Sequence, residues 1–181
     1  VISIEKDTVI NTIYIKPDER IKQFRGVIPF GLALSPDNQR LYVACSGINA
    51  VAVVDVKKLA VLGFIPTGWF PAKLKVSNDG KKLIVANAKG FGSGPNGGSN
   101  FKVGPEGSYI GSLMKGTVQV IDITNNEELK ACTDRVISNN FDFERANSKK
   151  FAHRKNNPIP LYPGEKQSPV KHIVFISKEN R

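Results

Sequence analysis

Cysteine is almost missing from this sequence. Cys45 and Cys132 are the two thiols in 181 residues, neither stands in a CxxC pair, and two cannot build a disulfide framework. Cys45 ends a strand-like run, where a buried free thiol is expected. Methionine and tryptophan occur once each and histidine twice. No apolar run approaches the roughly 20 residues that cross a bilayer as a helix, so no membrane span is expected. The opening residues carry neither a methionine nor the basic and apolar pattern of a signal peptide. Acidic residues are the minority, 16 against 26 lysines and arginines, and the net charge is +10. That balance favours anionic partners or surfaces and says nothing of the fold. At 40% hydrophobic and 23% charged residues, the composition is that of a globular chain and excludes a disordered one.

What the sequence does have is a repeat. Residues 29–45 (PFGLALSPDNQRLYVAC) are followed, 42 residues later and without a gap, by residues 71–87 (PAKLKVSNDGKKLIVAN). A period of about 40–45 residues built from short strands is the spacing of a four-stranded propeller blade. Each copy reads strand, turn, strand. Ser35-Pro36-Asp37-Asn38 turns because proline presets φ and Asp and Asn bond their own backbone. Ser77-Asn78-Asp79-Gly80 does the same with a glycine. Residues 50–56 and 59–65 supply a third and a fourth strand. Between turns nearly every residue is Val, Ile, Leu, Ala or aromatic, as sheets covered on both faces require.

The flanks follow from the repeat. Residues 1–15 (VISIEKDTVINTIYI) lie on residues 53–67 at a shift of 52, strand, charged turn, strand: the second half of an earlier blade. Residues 120–123 (VIDI) match residues 53–56 (VVDV) at a shift of 67, so the third strand of the second copy arrives late. The delay is a glycine-rich insertion at 90–115 (GFGSGPNGGSNFKVGPEGSYIGSLMK), longer than a simple connection needs. Its glycines and prolines exclude a helix, and it lacks the GK[ST] ending of a phosphate loop. A functional loop and plain decoration are both open readings. Residues 129–137 are expected to be the closing strand. Beyond 140 come a basic stretch, which could form a short helix over 141–155, a proline-rich linker to 169, and an apolar strand at 170–181. The expected fold is all-β: a partial β-propeller of about two and a half four-stranded blades, an irregular C-terminal linker and one extra strand.

These repeats, with their SPD and SND turns, LYVA and LIVAN strands and VVDV and VIDI third strands, resemble the YVTN-type β-propeller repeat family over residues 1–136. A second set of residues is NAKGFGSGPN at 87–96, NN at 139–140, NPIP at 157–160, PGE at 163–165 and KHIVFISKENR at 171–181. Together they are similar to bacterial two-part proteins that join such a propeller to a phosphoesterase of the alkaline-phosphatase superfamily. The resemblance implies that residues 170–181 are the first strand of a truncated catalytic domain. It implies that Glu179 and Asn180 are the acidic–amide pair that helps bind a divalent metal in the full-length parent. The nucleophile and the remaining aspartate and histidine ligands would lie downstream. No metal is expected on this piece by itself, and it is expected to hydrolyse nothing. The resemblance also implies a periplasmic, cell-surface or secreted location.

Each candidate has a plainer reading beside it. Without the family context, Glu179 and Asn180 are a polar chain end after an apolar strand. Trp69, in an inter-blade connection, either lines a ligand site near the channel mouth or packs between blades. Arg145, Lys149, Lys150, His153, Arg154 and Lys155 form a basic cluster beside Phe143 and Phe151. No helix-turn-helix, zinc-finger or RNP-like pattern accompanies it, so a solvated segment is expected and nucleic acid is not the expected partner. His172 is expected to be structural or solvent-facing. Blades closed into a propeller number about four to eight. The chain is therefore expected to be a piece of a longer one, its open edges covered by the remainder of that chain or by another protein. A phosphate-containing or other anionic ligand fits its charge. The other functional reading is a non-enzymatic propeller module of the cell envelope.

Overall fold

The strands form where the apolar runs meet their turns. In the computed structural model, residues 1–21, 26–90, 115–123, 125–141, 143 and 170–177 are described. A short hairpin joins β1 (Ile2–Ser3) to β2 (Thr8–Val9). A four-stranded antiparallel sheet then runs β3 (Pro29–Leu34), β4 (Arg40–Cys45), β5 (Ala50–Asp55), β6 (Ala60–Pro66), each strand beside the next. A three-stranded antiparallel sheet follows with β7 (Pro71–Val76), β8 (Lys82–Asn87) and β9 (Thr117–Asp122). The repeat is thus realised as two equivalent sheets. Their registers agree as well: Leu34 faces Leu41 in one and Val76 faces Leu83 in the other.

The left-handed backbone positions repeat with the sequence. Ile28 (φ 51°) and Phe70 (φ 58°) each precede the proline that opens an inner strand. Asn38 (φ 58°) and Gly80 (φ 73°) close the two turns, and Asp7 (φ 46°) and Leu59 (φ 53°) close the two outer hairpins. Left-handed backbone costs a non-glycine residue about 1–2 kcal/mol, and a β-branched isoleucine there is an outlier. The same turn geometry is imposed twice, by glycine where available and against preference where not.

The core lies on the two faces of the four-stranded sheet. Tyr42, Ala44, Val51, Val53 and Ile65 share one face and pack on Leu74, Val76, Leu83 and Val85 of the three-stranded sheet. On the other face Val43, Cys45, Ala50, Ala52, Val54 and Phe64 lie under Val27, Ile13, Ile15 and Val136. The inner strands of the two sheets approach closely, for a Cβ on Gly31 would collide with the Ala72 carbonyl of β7. Ser46 Oγ adds a hydrogen bond to the Pro71 carbonyl at 2.6 Å.

The expected closing strand at 129–137 is a helix instead. The helix α1 spans Asn126–Asn140. Its start is a capping box: Asn125 Oδ1 accepts from the Glu128 amide at 2.9 Å, and the Asn125 amide donates to the Glu128 carboxylate at 3.2 Å. Leu129, Thr133 and Val136 fall at helical spacing and turn towards the four-stranded sheet, whose outer strand β6 the helix covers. Thr133 Oγ1 accepts the outward-pointing amide of Phe64 at 2.8 Å, a donor that a neighbouring strand would otherwise satisfy. Gly63 makes room, since a Cβ there would lie 2.6 Å from Thr133 Oγ1. The chain leaving β9 therefore closes the edge of the preceding sheet and not that of its own.

The chain divides into two units, Val1–Asn140 and Phe141–Arg181. In the second, the rings of Phe141 and Phe143 stack at 5.8 Å. Residues 171–177 of the expected core strand form no strand among the described residues and expose Ile173, Val174, Phe175 and Ile176. A strand is a property of a pair, and none of the described residues supplies a partner to this segment. No helix among the described residues is long and apolar enough to cross a membrane.

Candidate functional site

Trp69 sits in the connection from β6 to β7, and the backbone around it is held firmly. Its amide donates to the Gly90 carbonyl at 2.7 Å and its carbonyl accepts from the Lys89 amide at 3.1 Å. The neighbouring Phe70 amide donates to Asn49 Oδ1 at 2.9 Å, which ties this connection to the four-stranded sheet. Phe70 meets Phe30 edge to face at 6.4 Å, and the Lys89 ammonium lies 5.1 Å from the centre of the Phe70 ring. With its backbone fixed, the Trp69 side chain remains 47% exposed and belongs to neither core cluster. An exposed aromatic on a fixed backbone can offer a flat apolar surface to a ligand, and the lysine of this rim sits on the neighbouring Phe70 ring.

Beneath this rim lies a polar group that the sequence reading missed. Asn87, at the end of β8, takes the place that Cys45 has in the first repeat, and it is buried. Its Nδ2 reaches Thr117 Oγ1 and Gln119 Oε1, both at 3.4 Å. Its Oδ1 has no hydrogen-bond partner among the described residues. Gln119 Oε1 also accepts from the Gly68 amide at 3.0 Å, next to Trp69. The signal was an asparagine at a position where the other copy of the repeat is apolar, since a buried polar group is retained for a partner.

The opposite end carries a cleft of about 400 Å³ between the two equivalent turns, lined by Asp37, Arg40, Tyr42, Asp79 and Ile123 among others. Its carboxylates are engaged. Asp37 accepts from the Ser35 hydroxyl and the Gln39 amide, and Asp79 from the Ser77 hydroxyl and the Lys81 amide. The serine hydroxyls, followed by those amides, hold both carboxyls below their ordinary value. Anionic and already bonded within their turns, they suit fixing the turns better than proton transfer. Burial raises the Cys45 thiol to about 11, so it is no nucleophile at neutral pH.

Glu179 and Asn180 lie outside the described residues, as do the basic cluster at 145–155 and the insertion between 91 and 114. His172 is exposed. Among the described residues no three histidine, cysteine, aspartate or glutamate side chains come together as a metal site.

No protein-family model matches the chain, and no curated protein does. Among solved structures, it is similar to the hydrazine synthase of Kuenenia stuttgartiensis at 28% identity, over 41% of this chain and 21% of that one, with a TM-score of 0.35. A protein of unknown function from Desulfotomaculum acetoxidans is similar at 23% identity, over 34% of this chain and 20% of that one, with a TM-score of 0.32. The chain thus spans about a fifth of either protein, and at these TM-scores neither likeness bears on what it does.

Proposed function

We propose that this chain is the β-propeller part of a metal-dependent phosphoesterase, in which the propeller binds or presents substrate, and that residues 1–181 by themselves are catalytically incomplete. The observation that carries the binding role is Trp69, half exposed on a backbone fixed by Gly90 and Lys89, next to Phe70 whose ring the Lys89 ammonium covers. The phosphoesterase assignment rests on the resemblance of residues 171–181, with Glu179 and Asn180 as two of the ligands of a divalent metal. Hard oxygen donors of that kind suit a cation next to phosphate. A periplasmic or cell-surface location belongs to the same reading.

Trp69 is the single tryptophan of the chain, so its fluorescence reports on this rim. Titration with a soluble phosphate monoester is expected to shift or quench the emission saturably, and Lys89→Ala is expected to weaken the response. A flat titration removes Trp69 from the binding role. Hydrolysis of p-nitrophenyl phosphate by the 181-residue chain, with any added divalent cation, would remove the claim that it is catalytically incomplete.

The second reading, a non-enzymatic interaction module of the cell envelope, is favoured by a different observation. The three-stranded sheet leaves Val118 and Val120 exposed, and apolar sheet faces of this kind mark contact surfaces.

A further inference from the structure

The two copies of the repeat use one shared cation differently. Arg40 opens β4 and Lys82 opens β8, at equivalent positions, and the registers set them opposite Asp55 and Asp122. Lys82 pairs with Asp122, as that register invites. Arg40 does not pair with Asp55. Asp55 accepts the Lys58 amide at 2.7 Å, and Arg40 makes no ion pair among the described residues. It lies half-buried in the wall of the cleft between the two turns, where it donates a hydrogen bond to the Tyr42 phenol. A guanidinium has five N–H donors in a planar fork, so one phenol leaves most of them unused.

Opposite charge lines the same cleft. Oδ1 of Asp37 takes the Ser35 hydroxyl and the Gln39 amide, and Oδ1 of Asp79 takes the Ser77 hydroxyl and the Lys81 amide. Oδ2 of each carboxylate stands outside those bonds. Pro36 and Ile123 add apolar wall, and a volume of about 400 Å³ is at the small end of ligand sites. A bare anion on Arg40 would face two carboxylates. A bare cation between the carboxylates would leave Arg40 unanswered.

We propose that this cleft binds a small zwitterion of the α-amino-acid class with an apolar side chain, its carboxylate on Arg40 and its ammonium on Asp37 and Asp79. The guanidinium fork matches a carboxylate through two parallel N–H···O bonds. An ammonium brings three donors to the two carboxylates, whose Oδ2 atoms are left over. Pro36 and Ile123 flank the ligand's side chain. Selectivity comes from both signs of charge at once, because a ligand with one of them leaves the other unpaired. The site is independent of the phosphoesterase reading and lies wholly within Val1–Asn140, at the end of the sheets away from Trp69.

Amide chemical shifts of the isotope-labelled chain, titrated with L-leucine to about 20 mM, test this. Saturable shifts are expected in the two turns, at residues 35–40 and 78–80. Isocaproate keeps the carboxylate and side chain of leucine without its amine, and isoamylamine keeps the amine without the carboxylate. Each is expected to bind at least about tenfold more weakly than leucine. Arg40→Gln is expected to lose at least about tenfold in leucine affinity, and so is Asp79→Asn, which keeps an oxygen for its turn; both should retain the wild-type circular dichroism. Lys82→Gln, at the counterpart position outside the cleft, is expected to leave leucine affinity unchanged. Shifts that do not saturate, or that fall elsewhere, overturn the proposal. So does isocaproate or isoamylamine binding as tightly as leucine, which makes this a site for one charge, and so does a leucine affinity that survives either substitution in the folded variant.

Discussion

Residue chemistry is most regular in the two turns. Ser35 with Asp37 and Ser77 with Asp79 use the same bonds, and both carboxyls are held below their ordinary value of 3.8. Asp18 is lowered further, to about 2, chiefly by its hydrogen bonds from Arg20. A carboxyl with a depressed folded-state value binds fewer protons when folded than when unfolded. Its contribution to stability is therefore complete above the unfolded value and fades as pH falls through the folded one. Urea unfolding followed from about pH 5 downward is expected to lose stability below the ordinary carboxylate range. Asp37→Asn is expected to lower stability at neutral pH and to flatten that acid limb. An unchanged limb would mean that the turn carboxylate does not feel the fold. The turns themselves were legible as SPD and SND. The burial of Asn87 was not legible, because one polar residue does not disturb a strand pattern.

Among the elements, the helix α1 is where sequence reasoning and structure part. Residues 129–137 contain Leu, Ala, Cys, Val and Ile in a density that suits a strand, and the period called for a fourth strand there. Two local signals outweighed both. Asn125 and Glu128 form the capping box, and Glu127 and Glu128 put negative charge at the helix N-terminus, where the dipole favours it. Asn125→Ala is expected to cost about 1 kcal/mol. Thr133→Val, which strands the Phe64 amide on the edge of β6, is expected to cost about 1–3 kcal/mol. Equilibrium urea unfolding measures both, and a neutral Thr133→Val would show that the helix does not protect that edge.

Within the unit Val1–Asn140, the two sheets share the core cluster that lies between them. Leu83 of the three-stranded sheet is fully buried against the four-stranded sheet. Leu83→Ala is expected to destabilise by about 2–5 kcal/mol. The loss should appear as a single transition in both circular dichroism and Trp69 fluorescence, since Trp69 lies on the connection between the sheets. Two separated transitions would mean that each sheet unfolds by itself. From β3 to β9 the repeat was legible at this scale, strand for strand to within about a residue, because turn chemistry and apolar runs recur together. Which faces remain open was not, since every strand reads as though covered on both sides.

The sequence by itself determined the strands, their turns and their phase. Those depend on residues within a few positions of one another: proline and aspartate at a turn, and apolar residues across a short run. It also placed Trp69 in a connection between sheets. Only the tertiary structure decided that the helix after β9 serves the edge of β6. Only there does Asn87 emerge with an oxygen unpartnered among the described residues, and only there are Val118 and Val120 left open while Val51 and Val53 are buried. The physical reason is the same in each case. Burial and hydrogen-bond satisfaction are settled by what lies across the fold, and two copies of one repeat, alike in sequence, face different neighbours.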